Sequence, residues 1–194
     1  MIILMQLLNQ PLWLWIVTLV LFILLLWLWA MYNAFIAKRN QVKTDFADID
    51  VQIKRRASLI ENLAAAIKQY ATHERKTFEN VTQARSAVQD AKSPKEAAQA
   101  ENFLTQTLRS LFAVSEAYPK LQASQNYKSL TDQLEKTENL IAQYRETYNQ
   151  TVLDFNTMLQ TFPNLLVARL FGFKEEELFV TTPADNQEVK LSSE

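Results

Sequence analysis

The chain lacks the residues that most often carry chemistry or form tight turns. Its 194 residues include no cysteine and a single glycine, Gly172. Without cysteine there are no disulfides, no thiolate nucleophile and no cysteine-ligated zinc. With one glycine the chain has no glycine-rich phosphate loop, and the turns of a sheet become difficult to build. The scarcity therefore favours long helices with few connections and argues against an enzyme.

Histidine and excess charge are equally scarce. The one histidine, His73, has no histidine or cysteine partner, and the residue three before it is Tyr70 rather than the Glu of a Glu-x-x-His metal motif. Twenty basic and 21 acidic residues give a net charge of −1, so no nucleic-acid partner is expected. We predict no cofactor, no metal and no catalytic residues.

What the chain does contain is a long apolar run at residues 12–31. The run has no charge and no Gly, Pro, Asn or Gln, and its ~20 residues would rise ~30 Å as a helix, the thickness of a bilayer core. All four tryptophans lie near its ends, where membrane-interface anchors are found: Trp13, Trp15, Trp27 and Trp29. A retained transmembrane helix is therefore predicted. The alternatives are a cleaved signal peptide, which would want a basic start, and a soluble core helix, which is rarely apolar on every face.

The basic residues that flank this run predict its orientation. Lys38, Arg39 and Lys43 follow the run, whereas residues 1–11 contain no Lys or Arg. By the positive-inside rule, the short N-terminal stretch 1–11 lies outside and the C-terminal domain lies in the cytoplasm.

Beyond the run, apolar residues recur at a spacing of three and four as far as Val88, and the first proline is Pro94. This pattern predicts one coiled-coil-like helix over residues 12–92, ~120 Å long. Arg56 and Glu74 fall on its apolar seam, so each needs a partner from another helix if it is buried. Glu116 and Glu138 are the candidate partners of Arg56.

Further helices are punctuated by capping signals. Ser93-Pro94-Lys95-Glu96 reads as a capping box that starts a helix ending near Ala117. The next helix spans residues 125–161, and a short one, NLLVARLF, ends at Gly172. Residues 165–173 are expected either to cap the bundle core or to dip into a membrane. The fold class is therefore all-α: an N-terminal transmembrane helix that continues into a long antiparallel helical bundle over residues 32–180, followed by a disordered tail, 181–194.

The expected helix lengths leave a surface uncovered near the membrane. If the first helix is longer than the helices that fold back on it, its membrane-proximal part keeps an exposed apolar stripe, which usually marks a partner surface. We predict self-association, or a protein partner, at this stripe: Phe35, Val42, Phe46, Ile49 and Ile53.

Several short motifs lie between the end of the apolar run and Phe173: Tyr32-Asn33, IDVQIKRR (49–56), LIENL (59–63), His73-Glu74, Ala84-Arg85, EAYPKLQAS (116–124), TEN (137–139), YRETYNQTVLDFN (144–156) and TFPNLLVARLFGF (161–173). In kind and order these motifs resemble the LemA family of bacterial membrane proteins. The sequence departs from the family at residues 58 and 61, which are Ser and Glu where the family often has Asp and Pro.

The resemblance implies a single-pass anchor in the bacterial inner membrane, a cytoplasmic helical domain, no established enzymatic activity and no cofactor. It also implies a membrane protease or a TPM-domain protein as a partner. Together with the pattern analysis, it predicts a helical scaffold or oligomerisation protein attached to the lipid bilayer. The alternative is a membrane-remodelling protein that assembles into large homo-oligomers on the bilayer.

Overall fold

A computed structural model describes residues 11–180. The described residues contain six α-helices and no strand, which confirms the all-α prediction. The expectations for residues 1–10 and for the tail 181–194 lie outside the described residues. The helices are α1 (Leu12–Lys68), α2 (Arg75–Asp90), α3 (Pro94–Glu116), α4 (Pro119–Gln122), α5 (Gln125–Gln160) and α6 (Asn164–Phe171).

The prediction of one unbroken helix from residue 12 to residue 92 is wrong. Helix α1 ends at Lys68 and α2 begins at Arg75. At the end of α1 the Ile67 carbonyl accepts the amides of both Tyr70 and Ala71, each at 2.9 Å, which tightens the last turn. Neither glycine nor proline marks the break. The intervening residues 69–74 include threonine, histidine and tyrosine, which are only moderate helix formers, so packing decides the local conformation.

The packing that favours this break is a hairpin between α1 and α2. Arg85 of α2 forms an ion pair with Glu61 of α1, and the Lys68 ammonium lies 6.0 Å from the centroid of the Phe78 ring. Residues seven apart on α1 thus contact residues seven apart on α2 in the opposite order, so the two helices are antiparallel. The reversal returns Val81, Ala84 and Val88 to a buried seam.

The capping predictions are confirmed. The Ser93 hydroxyl accepts the Glu96 amide at 3.2 Å, and the Glu96 carboxylate accepts the amides of Ser93 at 3.2 Å and Lys92 at 2.7 Å. These hydrogen bonds, that from Lys92 first, hold the pKa of Glu96 below its ordinary value. Gly172 ends α6 with a φ of 70°, a left-handed conformation that a residue with a Cβ adopts at a cost.

The chain divides into two compact units, and α1 and α5 contribute residues to both. One unit comprises the residues up to Gln41 together with Asp154–Glu175, and the other comprises Val42–Leu153 and the residues from Glu176 onwards. We call them the span unit and the bundle unit.

In the bundle unit four helices alternate in direction. Arg56 of α1 pairs with Glu101 of α3. Tyr70, two residues beyond the end of α1, contacts Tyr118, two residues beyond the end of α3, so α1 and α3 are parallel. Phe46 and Arg56 of α1 contact Tyr148 and Glu138 of α5 in the reverse order, so α1 and α5 are antiparallel. The core between these helices includes Ile49, Ile53, Ile60, Leu63, Ile67, Leu104, Leu111 and Ile141, none more than 1% exposed.

Candidate functional site

The start of α1 is exposed on all its faces. The 18-residue apolar window of this helix has none of its residues buried, and among the described residues α1 is the one helix long and apolar enough to cross a membrane. Trp13, Trp15 and Trp29 are 60%, 50% and 67% exposed, and Trp27 is also exposed. A soluble core helix would be covered by its own chain, so this segment needs an apolar surrounding.

One polar side chain in this segment is already satisfied within the helix. The Thr18 hydroxyl donates to the Trp15 carbonyl at 2.9 Å. In a bilayer core, where no water is available, such an internal bond removes the cost of an unpaired hydroxyl. The one hydroxyl in residues 12–31 is therefore compatible with a lipid environment.

An aromatic cluster lies directly beyond the apolar run, in the span unit. The ring centroids of Tyr32 and Phe171 are 4.9 Å apart, and those of Tyr32 and Phe173 are 6.0 Å apart. Phe173 also stacks on Phe35, at 4.9 Å. Lys38 adds an ion pair with Asp154, at 3.0 Å. The cluster joins α6 to the first turns that follow residue 31.

A network of four charged residues crosses the bundle unit. The Arg56 guanidinium lies 2.8 Å from the Glu138 carboxylate and 3.6 Å from that of Glu101, while Arg145 lies 3.4 Å from Glu101. The side chains of Arg56 and Glu101 are each 4% exposed, whereas those of Arg145 and Glu138 are 21% and 44% exposed. Two cations and two anions balance in charge, and each of the two buried members, Arg56 and Glu101, has a partner of opposite charge. Among residues 11–180, Nε and Nη1 of Arg56 find no hydrogen-bond acceptor.

The sequence identified only part of this network. The structure places Arg56 beside Glu138, as the candidate pairing suggests, but it leaves Glu116 and Glu74 exposed. Glu116 lies at the far end of α3, near the Tyr70 level of the parallel α1, about fifteen residues or ~22 Å beyond Glu101. Glu74 does not occupy a seam position, because the helix that would have placed it there ends at Lys68.

The other two members of the network, Glu101 and Arg145, were not among the residues predicted from the sequence. The signal for Glu101 was present: it continues the three-and-four spacing of Ala97, Leu104, Leu108 and Leu111, all of them buried. An acidic residue on an apolar stripe predicts a buried pair, as Arg56 did on α1. Arg145 had no comparable signal, since it belongs to the half-exposed side of α5.

The residues predicted to form an exposed oligomer surface are buried or half-buried, so this prediction is wrong. Phe35, Val42, Ile49 and Ile53 are 0–3% exposed, and Phe46 is half-buried. The physical reason is length. With α1 ending at Lys68, its residues beyond the apolar run rise ~55 Å, and the 36 residues of α5 rise ~54 Å. The helix that returns is long enough to cover the stripe.

The segment after α6 is fastened to α5 within the bundle unit. The Tyr148 hydroxyl donates to the Glu177 carbonyl at 2.7 Å, and Asn149 exchanges two hydrogen bonds with the Phe179 backbone, at 3.1 and 2.8 Å. Burial, together with the charges of Glu176 and Glu177, raises the pKa of Tyr148 to about 12. Tyr148 therefore stays neutral and donates its hydrogen bond throughout the physiological range.

No group of three or more His, Cys, Asp and Glu side chains that could hold a metal ion occurs among residues 11–180.

The exposed apolar helix and the helical bundle that follows it define a membrane-associated helical protein. A family comparison matches residues 45–192 to the LemA family. The chain belongs to the LemA family, as its motifs predict.

Relatives are found among the magnetosome proteins of two bacteria. Magnetosome protein MamQ of Magnetospirillum gryphiswaldense is 26% identical over 179 residues, covering 79% of this chain and 66% of the relative. The same values hold for MamQ 1 and MamQ 2 of Paramagnetospirillum magneticum. The chain thus spans somewhat less than two thirds of the length of these relatives.

Proposed function

We propose that this protein is a single-pass scaffold of the bacterial inner membrane that has no catalytic activity and assembles through self-association. The observation that carries the proposal is the continuity of α1. Its first residues form a bare apolar helix, and its last residues supply buried core positions, Ile60, Leu63 and Ile67. One helix therefore serves both as membrane anchor and as bundle core, with no linker between the two functions.

The orientation in this proposal places the N-terminus outside and the bundle in the cytoplasm. Lys38, Arg39 and Lys43 on the C-terminal side of the apolar run support it, because basic residues near a span are retained on the cytoplasmic side. The absence of cysteine makes a direct test simple. A cysteine at Gln10 should react with a membrane-impermeant maleimide in intact cells, whereas one at the exposed His73 should react only after permeabilisation. The opposite pattern would refute the orientation.

Self-association in this proposal does not use the stripe at Phe35–Ile53, because those residues are largely buried within one chain. Contact between copies has to use surfaces that remain exposed, of which the apolar run is the largest. By family resemblance, a membrane protease or a TPM-domain protein is the proposed partner. The magnetosome association belongs to the relatives, and the proposal concerns the part of them that this chain shares.

Electron microscopy of the full chain in native-membrane nanodiscs, with mass photometry of the same sample, tests the assembly. Discrete oligomers of a few copies are the expected result. A strictly monomeric protein at high concentration would refute self-association. Large arrays that deform the membrane would favour remodelling over a scaffold role.

A further inference from the structure

Helix α6 exposes apolar side chains on the face that a helix in water would make polar. Val167 and Ala168 on its inner face are 1% and 2% exposed, whereas Leu166 and Leu170 on its outer face are 58% and 69% exposed. Phe162, just before the helix, is 77% exposed. Single exposed leucines are ordinary, but Leu166 and Leu170 are one turn apart on the same side of α6, and Phe162, in the turn just before the helix, adds a third exposed apolar side chain to this strip.

The position of this strip relative to the apolar run decides what covers it. Phe171, the last residue of α6, lies 4.9 Å from Tyr32, and Tyr32 follows Met31, the last residue of the run. A bilayer has about 5–8 Å of headgroup layer on each side of its hydrocarbon core. If the run spans the core, Tyr32 and the end of α6 lie in that layer, on the side of the following helices.

We propose that α6 is an interfacial helix whose outer strip, Phe162, Leu166 and Leu170, docks onto the same lipid bilayer that α1 crosses. The inference rests on the proposed membrane span, and it adds a second, separate contact with the lipid. The occupant is the bilayer because the strip is continuous with a membrane-facing segment inside the span unit. Arg169, exposed between the two leucines, suits the phosphate level, as basic residues do on helices that lie in an interface.

The two faces of α6 have distinct functions in this arrangement. The inner face and the aromatic cluster attach the helix to α1, and the outer strip meets lipid. A single spanning helix can tilt in the bilayer. The aromatic cluster fixes which face of α1 is turned towards α6, and a second contact with the lipid beside the span restricts the tilt of α1.

The experiment uses the full chain, whose lack of cysteine allows single labelling sites. Nitroxide labels at Leu166→Cys and Leu170→Cys report the strip, in vesicles of phosphatidylcholine and phosphatidylglycerol. Val51→Cys is the matched control, because Val51 is 59% exposed, as Leu166 is, but lies twenty residues beyond Met31 on α1, ~30 Å along the helix. Leu21→Cys reports the apolar run itself. The measurement is the ratio of collision rates with oxygen, which concentrates in lipid, and with a water-soluble nickel chelate.

The expected result is a severalfold higher oxygen-to-nickel ratio at 166 and 170 than at 51, with the highest ratio at 21. Ratios at 166 and 170 equal to that at 51, with position 21 in lipid, would overturn the interfacial helix and leave the span intact. A water-like ratio at 21 would overturn the span instead. Shielding of 166 and 170 from both reagents would identify a protein surface, either a second copy or a partner, as the occupant and would also overturn the proposal.

A second variant tests whether the strip itself holds position 170 in the lipid. Leu166→Gln introduced into the Leu170→Cys protein should lower the ratio at 170 severalfold, whereas Val51→Gln should leave it unchanged. Both substitutions are at exposed positions, so far-ultraviolet circular dichroism should show the same helix content in each variant. An unchanged ratio at 170 in the Leu166→Gln variant would contradict a docking strip.

Discussion

Replacing Glu101 by Gln tests whether the charged network stabilises the bundle. The substitution keeps the shape of the side chain but removes the charge that faces Arg56 at 3.6 Å and Arg145 at 3.4 Å. Glu101 and Arg56 are each 4% exposed, so water cannot replace the lost interaction. Removing one partner of a buried ion pair costs about 3–5 kcal/mol. Because Arg56 keeps Glu138 and Arg145 reaches solvent, we expect the lower end, about 3 kcal/mol.

Glu138→Gln is the matched control, since it also replaces a carboxylate that pairs with the Arg56 guanidinium by a neutral amide. Glu138 is 44% exposed and its pair distance is 2.8 Å, shorter than that of Glu101. If distance governed the effect, Glu138→Gln would be the more damaging substitution. If burial governs it, as the physical argument requires, Glu138→Gln should cost less than about 1 kcal/mol.

Urea unfolding of the full chain in a non-ionic detergent, monitored by circular dichroism, measures the free energy of unfolding of both variants. For a chain of this size, 3 kcal/mol corresponds to about 6–12 °C in Tm. An effect of Glu101→Gln within about 0.5 kcal/mol of wild type would refute the reasoning, and so would a larger effect of Glu138→Gln. The double variant Arg56→Met/Glu101→Leu should recover part of the loss, because an apolar pair needs no desolvation.

Two further perturbations address the segments on either side of the Glu175–Glu177 run. Tyr148, with its pKa raised to about 12, should remain un-ionised in an ultraviolet titration at pH 11, and the Tyr148→Phe spectrum identifies its contribution. Since the folded pKa exceeds the unfolded value near 10, the stabilisation is full below pH 10 and about 2–3 kcal/mol is lost as the pH rises towards 12; a normal titration of Tyr148 would contradict its burial. Gly172→Ala should cost about 1 kcal/mol in urea unfolding, because a Cβ is strained at φ 70° although no atom lies within 4 Å of it. Gly172→Asn should cost less, and equal costs would mean that the left-handed conformation does not set the penalty.

Much of the fold could be predicted because its signals are local. The capping box at Ser93, the left-handed Gly172 and the three-and-four spacing of α3 and α5 each depend on residues within one or two turns of each other. The apolar run is equally local. Such features can be predicted without knowing what a helix packs against. The bounds of these helices are therefore within one residue of the predicted ones.

The break after Lys68 could not be predicted in this way, because no helix-breaking residue causes it. Residues 69–74 hold no glycine or proline, and their moderate helix propensities amount to only tenths of a kcal/mol each. What favours the turn is tertiary: the pairing of Glu61 with Arg85 and the burial of Val81, Ala84 and Val88. One residue did argue against an unbroken helix: such a helix would have buried the charge of Glu74 on its apolar seam.

That single break decides which surfaces are left for function. Because α1 ends at Lys68, its part beyond the apolar run is about as long as the 36-residue α5, so the seam beyond the run is covered within one chain. The exposed apolar residues of the bundle unit, such as Val51 and Tyr70, are then scattered and need no partner. Within residues 11–180, most of the large exposed apolar side chains lie in the span unit, in the run itself and in the strip on α6. If copies of this protein associate, the physical driving force therefore lies in or beside the membrane, and substitutions in α6 or in the run should alter assembly before substitutions in the bundle do.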